Sequence, residues 1–355
     1  MKTCLRLPKR ILQGFVHVAT DPGILNRIAP VSYIFALVGI AGWGVFRAIP
    51  YLYSDYDPWV TTAVQCLGCF LATELFINWL FLTFVDSTYD PAIYGAPPVL
   101  FDRGMPIYDG RENCSVNFSR QRKDVMSLQE NECKPEYGTN ARANTLEGID
   151  KSVMPYFTWS QCITCNRPNP PRAHHCILCK KCILKRDHHC YVAATCVGYR
   201  NLRYFSTFLF YAVLATFFAS VHAIPYGFSI VVPKVQYYDL FYPVTIVRGL
   251  LGFVHYRDAF LIILGWMLLV YLIFSTFSLF QAYKWITTGN TSFEIVNKID
   301  IYDSRDLSGK VRAVYGRYWL LNFLFPAHFL FEPQDDPIRW QTFKRRGLDG
   351  GYFLS

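Results

Sequence analysis

Seven cysteines and four histidines crowd into one short stretch of the 355-residue chain, QCITCNRPNPPRAHHCILCKKCILKRDHHCYVAATCVGYRN, which runs from Gln161 to Asn201. Cys162/Cys165 and Cys176/Cys179 are C-x-x-C pairs, the spacing at which a tight turn aims two thiolates at one tetrahedral zinc. One such zinc takes four ligands and two take eight. The window offers Cys162, Cys165, Cys176, Cys179, Cys182, Cys190 and Cys196 with His174, His175, His188 and His189, so two zincs leave groups unspent. A surplus thiol beside Asp-His-His has a use, because a thiol nucleophile needs a base next to it and a group that orients the base. With seven of the twelve cysteines in this window, metal binding in a reducing compartment is a better reading than a disulfide scaffold.

These side chains need a scaffold, and the composition says which kind. Hydrophobic residues make up 52% of the chain, aromatics 17% and charged residues only 17%, where a soluble domain carries about a quarter charged. Disorder and a purely nucleic-acid-binding scaffold are excluded, and the aromatic load implies a surface that partly faces lipid. Four apolar runs are long enough to cross a bilayer, at 31–49, 60–84, 204–232 and 259–283. The second contains Glu74 and Asn78, for which a buried interhelical role is expected. Its Cys66 and Cys69 read as packing residues with no metal role.

Lys and Arg concentrate before the first span, between the second and third, and after the fourth, which places both termini and the Cys/His window in the cytosol. The expected organisation is a cytosolic segment 1–30, two spans in 31–84, a cytosolic loop 85–203 with the zinc domain at about 159–203, two spans in 204–283 and a cytosolic tail 284–355. No cleaved signal peptide is expected at the N-terminus. The loop 86–151 mixes Gly, Pro, Asn and charge without a clear period, and no repeat of solenoid length is expected. The sequons at Asn113, Asn117 and Asn290 fall in segments assigned to the cytosol and are expected to be unmodified.

Asp187-His188-His189-Cys190, preceded by C-x2-C and P-x-R-x2-HC-x2-C-x2-C and followed by C-V-G-x2-N, resembles the Asp-His-His-Cys (DHHC) protein S-acyltransferases. Cys162, Cys165, Pro168, Pro171, Arg172, His175, Cys176, Cys179, Cys182, Cys196, Gly198 and Asn201 all match positions of that family's cysteine-rich domain. The resemblance implies a membrane α-helical fold of four transmembrane helices, with a cytosolic zinc-binding domain between the second and third. It implies two structural zinc ions, one held by Cys162, Cys165, His175 and Cys182, the other by Cys176, Cys179, His189 and Cys196. Cys190 is then the nucleophile, His188 its base and Asp187 the orienter, with His174 left over. The implied donor is a long-chain acyl-CoA such as palmitoyl-CoA. The implied acceptors are cysteines of cytosolic or membrane-bound proteins, in the ER, Golgi or plasma membrane, among membrane lipid and with no nucleic acid.

Arg172, Lys185 and Arg186, with Lys180 and Lys181, are candidates for the CoA phosphates. Asp90-Pro91-Ala92 resembles the family's Asp-Pro-Gly. Thr291-Ser292-Phe293-Glu294 resembles its Thr-Thr-x-Glu with Ser for the second Thr, and Tyr315 through Asn322 with the run FLFPAHFLF resembles its C-terminal segment. The chain departs from the family after the nucleophile, where Cys190-Tyr191-Val192-Ala193-Ala194-Thr195-Cys196 stands for the usual Cys-Pro-Trp-Val-Asn-Asn-Cys. The spacing survives and the side chains do not. Rival readings are an inactive family member and a membrane-tethered zinc scaffold in which every Cys and His is structural. A channel is disfavoured because Glu74 is thin provision for an ion path.

Overall fold

The computed structural model describes residues 21–95, 101–102, 105–106, 159–162, 164–299, 301–324, 333 and 335–345. Most of the 86–151 loop, with the sequons at Asn113 and Asn117, lies outside the described residues, as do residues 1–20 and most of the run FLFPAHFLF. The chain divides into two compact units, Ile24–Phe84 with Arg203–Tyr283, and Met1–Gly23 with Val85–Leu202 and Lys284–Ser355.

The first unit is helical. Helix α1 (Pro22–Trp43) runs on through a π-helical turn at Gly44–Ala48 and a last turn at Ile49–Leu52. It is followed by α2 (Pro58–Phe84), α3 (Leu202–Val231), the short α4 (Tyr242–Leu250) and α5 (Tyr256–Thr288). All but α4 belong to segments long and apolar enough to cross a membrane, Pro22–Leu52, Pro58–Phe84, Leu202–Lys234 and Tyr256–Thr288. The helices extend beyond the apolar runs because hydropathy marks only the part that must be dry, while the backbone continues into polar ends. Gly68 lets α2 approach its neighbours, since a Cβ there would lie 3.0 Å from Val45 and from Phe218. Tyr33 packs its ring against Trp79 and Phe208, with centroids 5.2 and 5.7 Å away. Glu74 and Asn78 are buried in α2, where the Asn78 amide nitrogen, one helical turn on, donates to the Glu74 carboxylate at 3.3 Å and to the Glu74 carbonyl at 2.9 Å.

The second unit is built from short antiparallel pairs. After the tiny pair β1 (Phe101–Asp102) and β2 (Met105–Pro106) come three hairpins in succession. They are β3 (Ser160–Cys162) with β4 (Arg167–Asn169), β5 (His174–Cys176) with β6 (Lys181–Ile183), and β7 (His188–Cys190) with β8 (Thr195–Val197). Three-residue strands bury too little to hold themselves together, so side-chain links must do it. Asn201 supplies several. Its Oδ1 accepts from the Gly198 amide at 2.8 Å and the Ser87 hydroxyl at 3.1 Å, and its Nδ2 donates to the Cys196 carbonyl at 2.9 Å. Gly198 has no room for a side chain, because a Cβ would lie 2.7 Å from the Leu184 carbonyl oxygen. Asp90 caps the helical turn Pro91–Tyr94 by accepting from the Ala92 amide at 2.9 Å.

The residues after α5 join the same unit. Helix α6 (Ser292–Val296) is opened by a capping box in which Thr291 and Glu294 satisfy each other's backbone amides. Strand β9 (Ile301–Asp303) pairs with β10 (Phe343–Arg345), with α7 (Leu307–Tyr315) and α8 (Trp319–Leu324) between them in sequence. Ile301, Trp340 and Phe343 form a small core there.

Candidate active site

The zinc-type donors meet in two sets of four. Cys162, Cys165, His175 and Cys182 bring their ligand atoms within 4.8 Å of one another, and so do Cys176, Cys179, His189 and Cys196. In the first set His175 Nδ1 lies 3.7, 3.3 and 3.8 Å from the sulfurs of Cys162, Cys165 and Cys182. In the second, His189 Nδ1 lies 3.6, 3.3 and 3.7 Å from those of Cys176, Cys179 and Cys196. Zinc–sulfur bonds of about 2.3 Å set the edges of a tetrahedron at about 3.7 Å, so these donors fit such an ion without rearrangement. Their electrostatics ask for one as well. Hydrogen bonds from Cys179 and Cys196 drive the Cys176 thiol down, while the same contacts push Cys179 up to about 11 and Cys196 further still. Thiols crowded in this way are a donor set that could hold a divalent cation.

A single architectural rule places all eight donors. The first and second hairpins carry a C-x-x-C at the tip, and the second and third a His opposite a Cys at mid-strand, as the pairings His175↔Cys182 and His189↔Cys196 show. The tip of one hairpin and the middle of the next share a donor set, so a metal bound in each set would stitch the three hairpins in series. The pattern repeats every 14 residues: 162, 165, 175 and 182 become 176, 179, 189 and 196. This period is too short for the solenoid repeats sought in the sequence, and it was open to detection by comparing the window with itself.

The rule also accounts for Cys190. It follows Cys176 by 14 residues and ends the first strand of the third hairpin, as Cys162 and Cys176 end theirs. The second tip position is Ala193, so this knuckle has only one thiol. Side chains alternate along a strand, so His189 points to the metal set while His188 and Cys190 share the other face. His188 Nδ1 lies 2.6 Å from Asp187 Oδ2, and a side-chain hydrogen bond joins His188 to Cys190. Burial alone would depress the imidazole, but the hydrogen bonds and charges of Asp187 and Cys190 outweigh it and hold His188 up to about 9. The Trp285 ring lies 5.5 Å from the His188 ring, centroid to centroid.

Asp187 is itself held from behind. Its Oδ1 accepts from the Ser292 amide at 2.5 Å, and its carbonyl accepts from the Ser292 hydroxyl at 3.0 Å. Of the Ser292 side chain the contact uses the hydroxyl, a group that threonine shares. Ser292 is positioned through Glu294, which accepts from the Thr291 amide at 2.7 Å and forms a bidentate pair with Arg172, at 2.6 and 2.8 Å. The Arg172 guanidinium also donates to the Gly289 carbonyl at 2.9 Å and is sandwiched between the rings of Trp340 and Phe343, at 4.4 and 4.2 Å.

Those contacts weigh against Arg172, Lys185 and Arg186 as the cations for the CoA phosphates. Arg172 is wholly buried against Glu294 and turns no face to a phosphate. Lys185 is also buried, its ammonium 5.4 Å from the centre of the Trp340 ring, and burial with the nearby Arg172 lowers it to about 8. Arg186 hydrogen-bonds the thiols of Cys196 and Cys176 and supports the second donor set. Lys180 and Lys181 are exposed, Lys181 pairing with Asp86 at 2.9 Å. Charge in a sequence does not say which cations already have a partner far along the chain. His174 packs on the Phe293 ring, with centroids 4.4 Å apart, and burial and Arg186 hold it down to about 4, so it is a neutral packing residue.

The family model for DHHC palmitoyltransferases matches residues 156–299, covering the three hairpins, α3 to α5 and α6. No curated protein gives a significant match.

Proposed function

We propose that this chain, bearer of a DHHC palmitoyltransferase domain, is a protein S-acyltransferase that moves a fatty acyl group from acyl-CoA to Cys190 and on to cysteines of other proteins. The observation that carries this reading is the position of Cys190. It lies outside both donor sets and next to a histidine whose far side is already engaged by a carboxylate.

In the first half-reaction the Cys190 thiol gives its proton to His188, and the thiolate attacks the thioester carbonyl carbon of the acyl-CoA. The carbon–sulfur bond to CoA breaks, and the CoA thiolate leaves with the proton returned by the His188 imidazolium. In the second, His188 takes the proton of an acceptor cysteine, whose sulfur attacks the acyl carbonyl carbon; the carbon–sulfur bond to Cys190 breaks, and Cys190 leaves as a thiolate that recovers the proton from the His188 imidazolium. Asp187 on Nδ1 fixes the tautomer, so Nε2 handles both transfers. Thioester exchange is close to neutral in energy, so the site contributes placement. Zinc, held by the eight donors, would supply structure by locking the hairpins that carry His188 and Cys190.

We place the second unit in the cytosol, where acyl-CoA is available and clustered thiols stay reduced, in an endomembrane or the plasma membrane. Incubation of the purified protein with labelled palmitoyl-CoA tests the reading. The wild type should acquire a hydroxylamine-labile label and Cys190→Ser none, with two zincs per chain in both. Loss of a zinc from Cys190→Ser would make that residue a ligand and sink the proposal.

A further inference from the structure

The connection between α3 and α5 is an ordered plate with the polarity of a soluble helix reversed. Along α4, Thr245 is fully buried and Gly249 backs onto α5, where its added Cβ would meet Ala259 at 3.6 Å. The opposite face presents Tyr242, Ile246, Val247 and Leu250, the last 85% exposed, and the chain continues with Leu251 at 65% and Phe253 at 68%. No charged side chain interrupts that face. The one cation of α4, Arg248, turns inward to Asp239 at 2.5 Å, with the rings of Tyr238 and Phe253 at 5.0 and 5.2 Å. A capping box between Gln236 and Asp239 and a hydroxyl bond from Thr245 to the Asp239 carbonyl tie the plate together.

Its depth follows from its contacts with α5. The Trp266 indole donates to the Leu240 carbonyl at 2.8 Å, and Trp266 lies ten residues into α5, about 15 Å along its axis. The connection therefore folds back along the helix. At 33 residues, α5 is about 50 Å long against a hydrocarbon core of about 30 Å, so its first turns reach through the headgroup zone. A plate packed beside Ala259 through Trp266 lies at the boundary between headgroups and acyl chains. The flanking groups suit that level, with Tyr237, Tyr238, Tyr242 and Tyr256 as interfacial aromatics. Lys234 is 3.9 Å from Asp258, and Arg257 is exposed.

We infer that residues 237–256 form an interfacial plate that beds Ile246, Val247, Leu250, Leu251 and Phe253 into the lipid of the leaflet at this end of α3 and α5. An apolar face of this size with a rigid polar back binds a membrane surface in proportion to the area it buries. The inference rests on the four spans and stands independently of the acyl-transfer chemistry. Its consequence is a fixed height for α3 and α5 in the bilayer, because sliding either helix would drag the plate out of its level.

The test places a benzophenone amino acid at Val247, Leu250 or His255 in the full-length protein in phosphatidylcholine nanodiscs. Zinc content and a melting curve check that each variant is folded. After irradiation, mass spectrometry should find phospholipid adducts at 247 and 250 at least about fivefold above those at the polar position 255. Adducts to a second copy of the chain at 247 and 250, or a yield there no higher than at 255, would overturn the proposal.

Discussion

The tips of the second and third hairpins start from one plan and end in different chemistry. In both, the first strand ends on a cysteine, at 176 and 190, and the fifth residue of the turn adopts a left-handed backbone, φ 55° at Lys180 and 50° at Ala194. The first hairpin does the same at Asn166, φ 47°. The second tip has Cys179 to complete its knuckle, and both thiols enter a donor set. The third has Ala193, and its thiol faces His188 instead. On the acyl-transfer reading proposed above, a nucleophile has been made from a ligand position by removing its partner, so the turn that would aim a thiolate at a metal aims one at substrate.

The largest effect should come from breaking the complete tip. Cys179→Ala removes one donor from a set of four, and we expect zinc per chain to fall from two towards one, with the hairpins losing much of their stability. Elemental analysis with a melting curve checks this, and retention of both ions would dissolve the contrast between the two tips.

Next comes rebuilding the incomplete tip. Ala193→Cys recreates the C-x-x-C, and the restored pair should capture added zinc. We expect self-acylation to drop by about tenfold or more in micromolar zinc and to recover on chelation at a level that spares the two resident ions. Equal activity with and without added zinc would show that the third tip has lost the knuckle geometry.

A third prediction concerns protonation. His188 is held up to about 9, above its ordinary value, so its imidazolium is complete at low pH and is lost as pH rises through about 9. Self-acylation uses that proton on the departing CoA sulfur and should decline across the same range. Asp187→Asn removes the anion that sustains the shift, and the decline should then begin at lower pH. An unmoved alkaline limb would mean that another group sets it.

The smallest effect is expected at Ala194. A left-handed alanine is strained, and Asn or Gly adopts that backbone more readily. Ala194→Asn should stabilise the module by up to about 1 kcal/mol, read as a higher melting temperature, with zinc content unchanged. A lower melting temperature would show that the alanine methyl has a packing role.

Much of this molecule is visible in its residues, for reasons that differ by region. The four spans are legible because crossing hydrocarbon demands a length of apolar chain. Metal donors are legible because zinc restricts both residue type and spacing, and the family resemblance supplies their sorting into sets. Arg172 is not, since its partner Glu294 lies 122 residues away and a buried guanidinium looks like any other in a sequence. The plate around α4 is equally hidden. Its apolar face blends into the spans on either side, and only the side on which Thr245 and Gly249 fall distinguishes it from more of the same. Within 190–196 the departures from the family become intelligible at Ala194, where the backbone explains why asparagine is usual.

The Arg172–Glu294 pair also dictates an order of assembly. It joins the hairpins to a segment that leaves the ribosome only after two membrane spans have been synthesised between them. The hairpins can thus gather all eight donors while Asp187 still lacks the amide and hydroxyl of Ser292. A chain truncated before that residue would own Cys190 and both donor sets yet have no brace behind the aspartate. Full competence therefore arrives with the last third of translation, by which time the spans that hold the protein in its membrane have already been made.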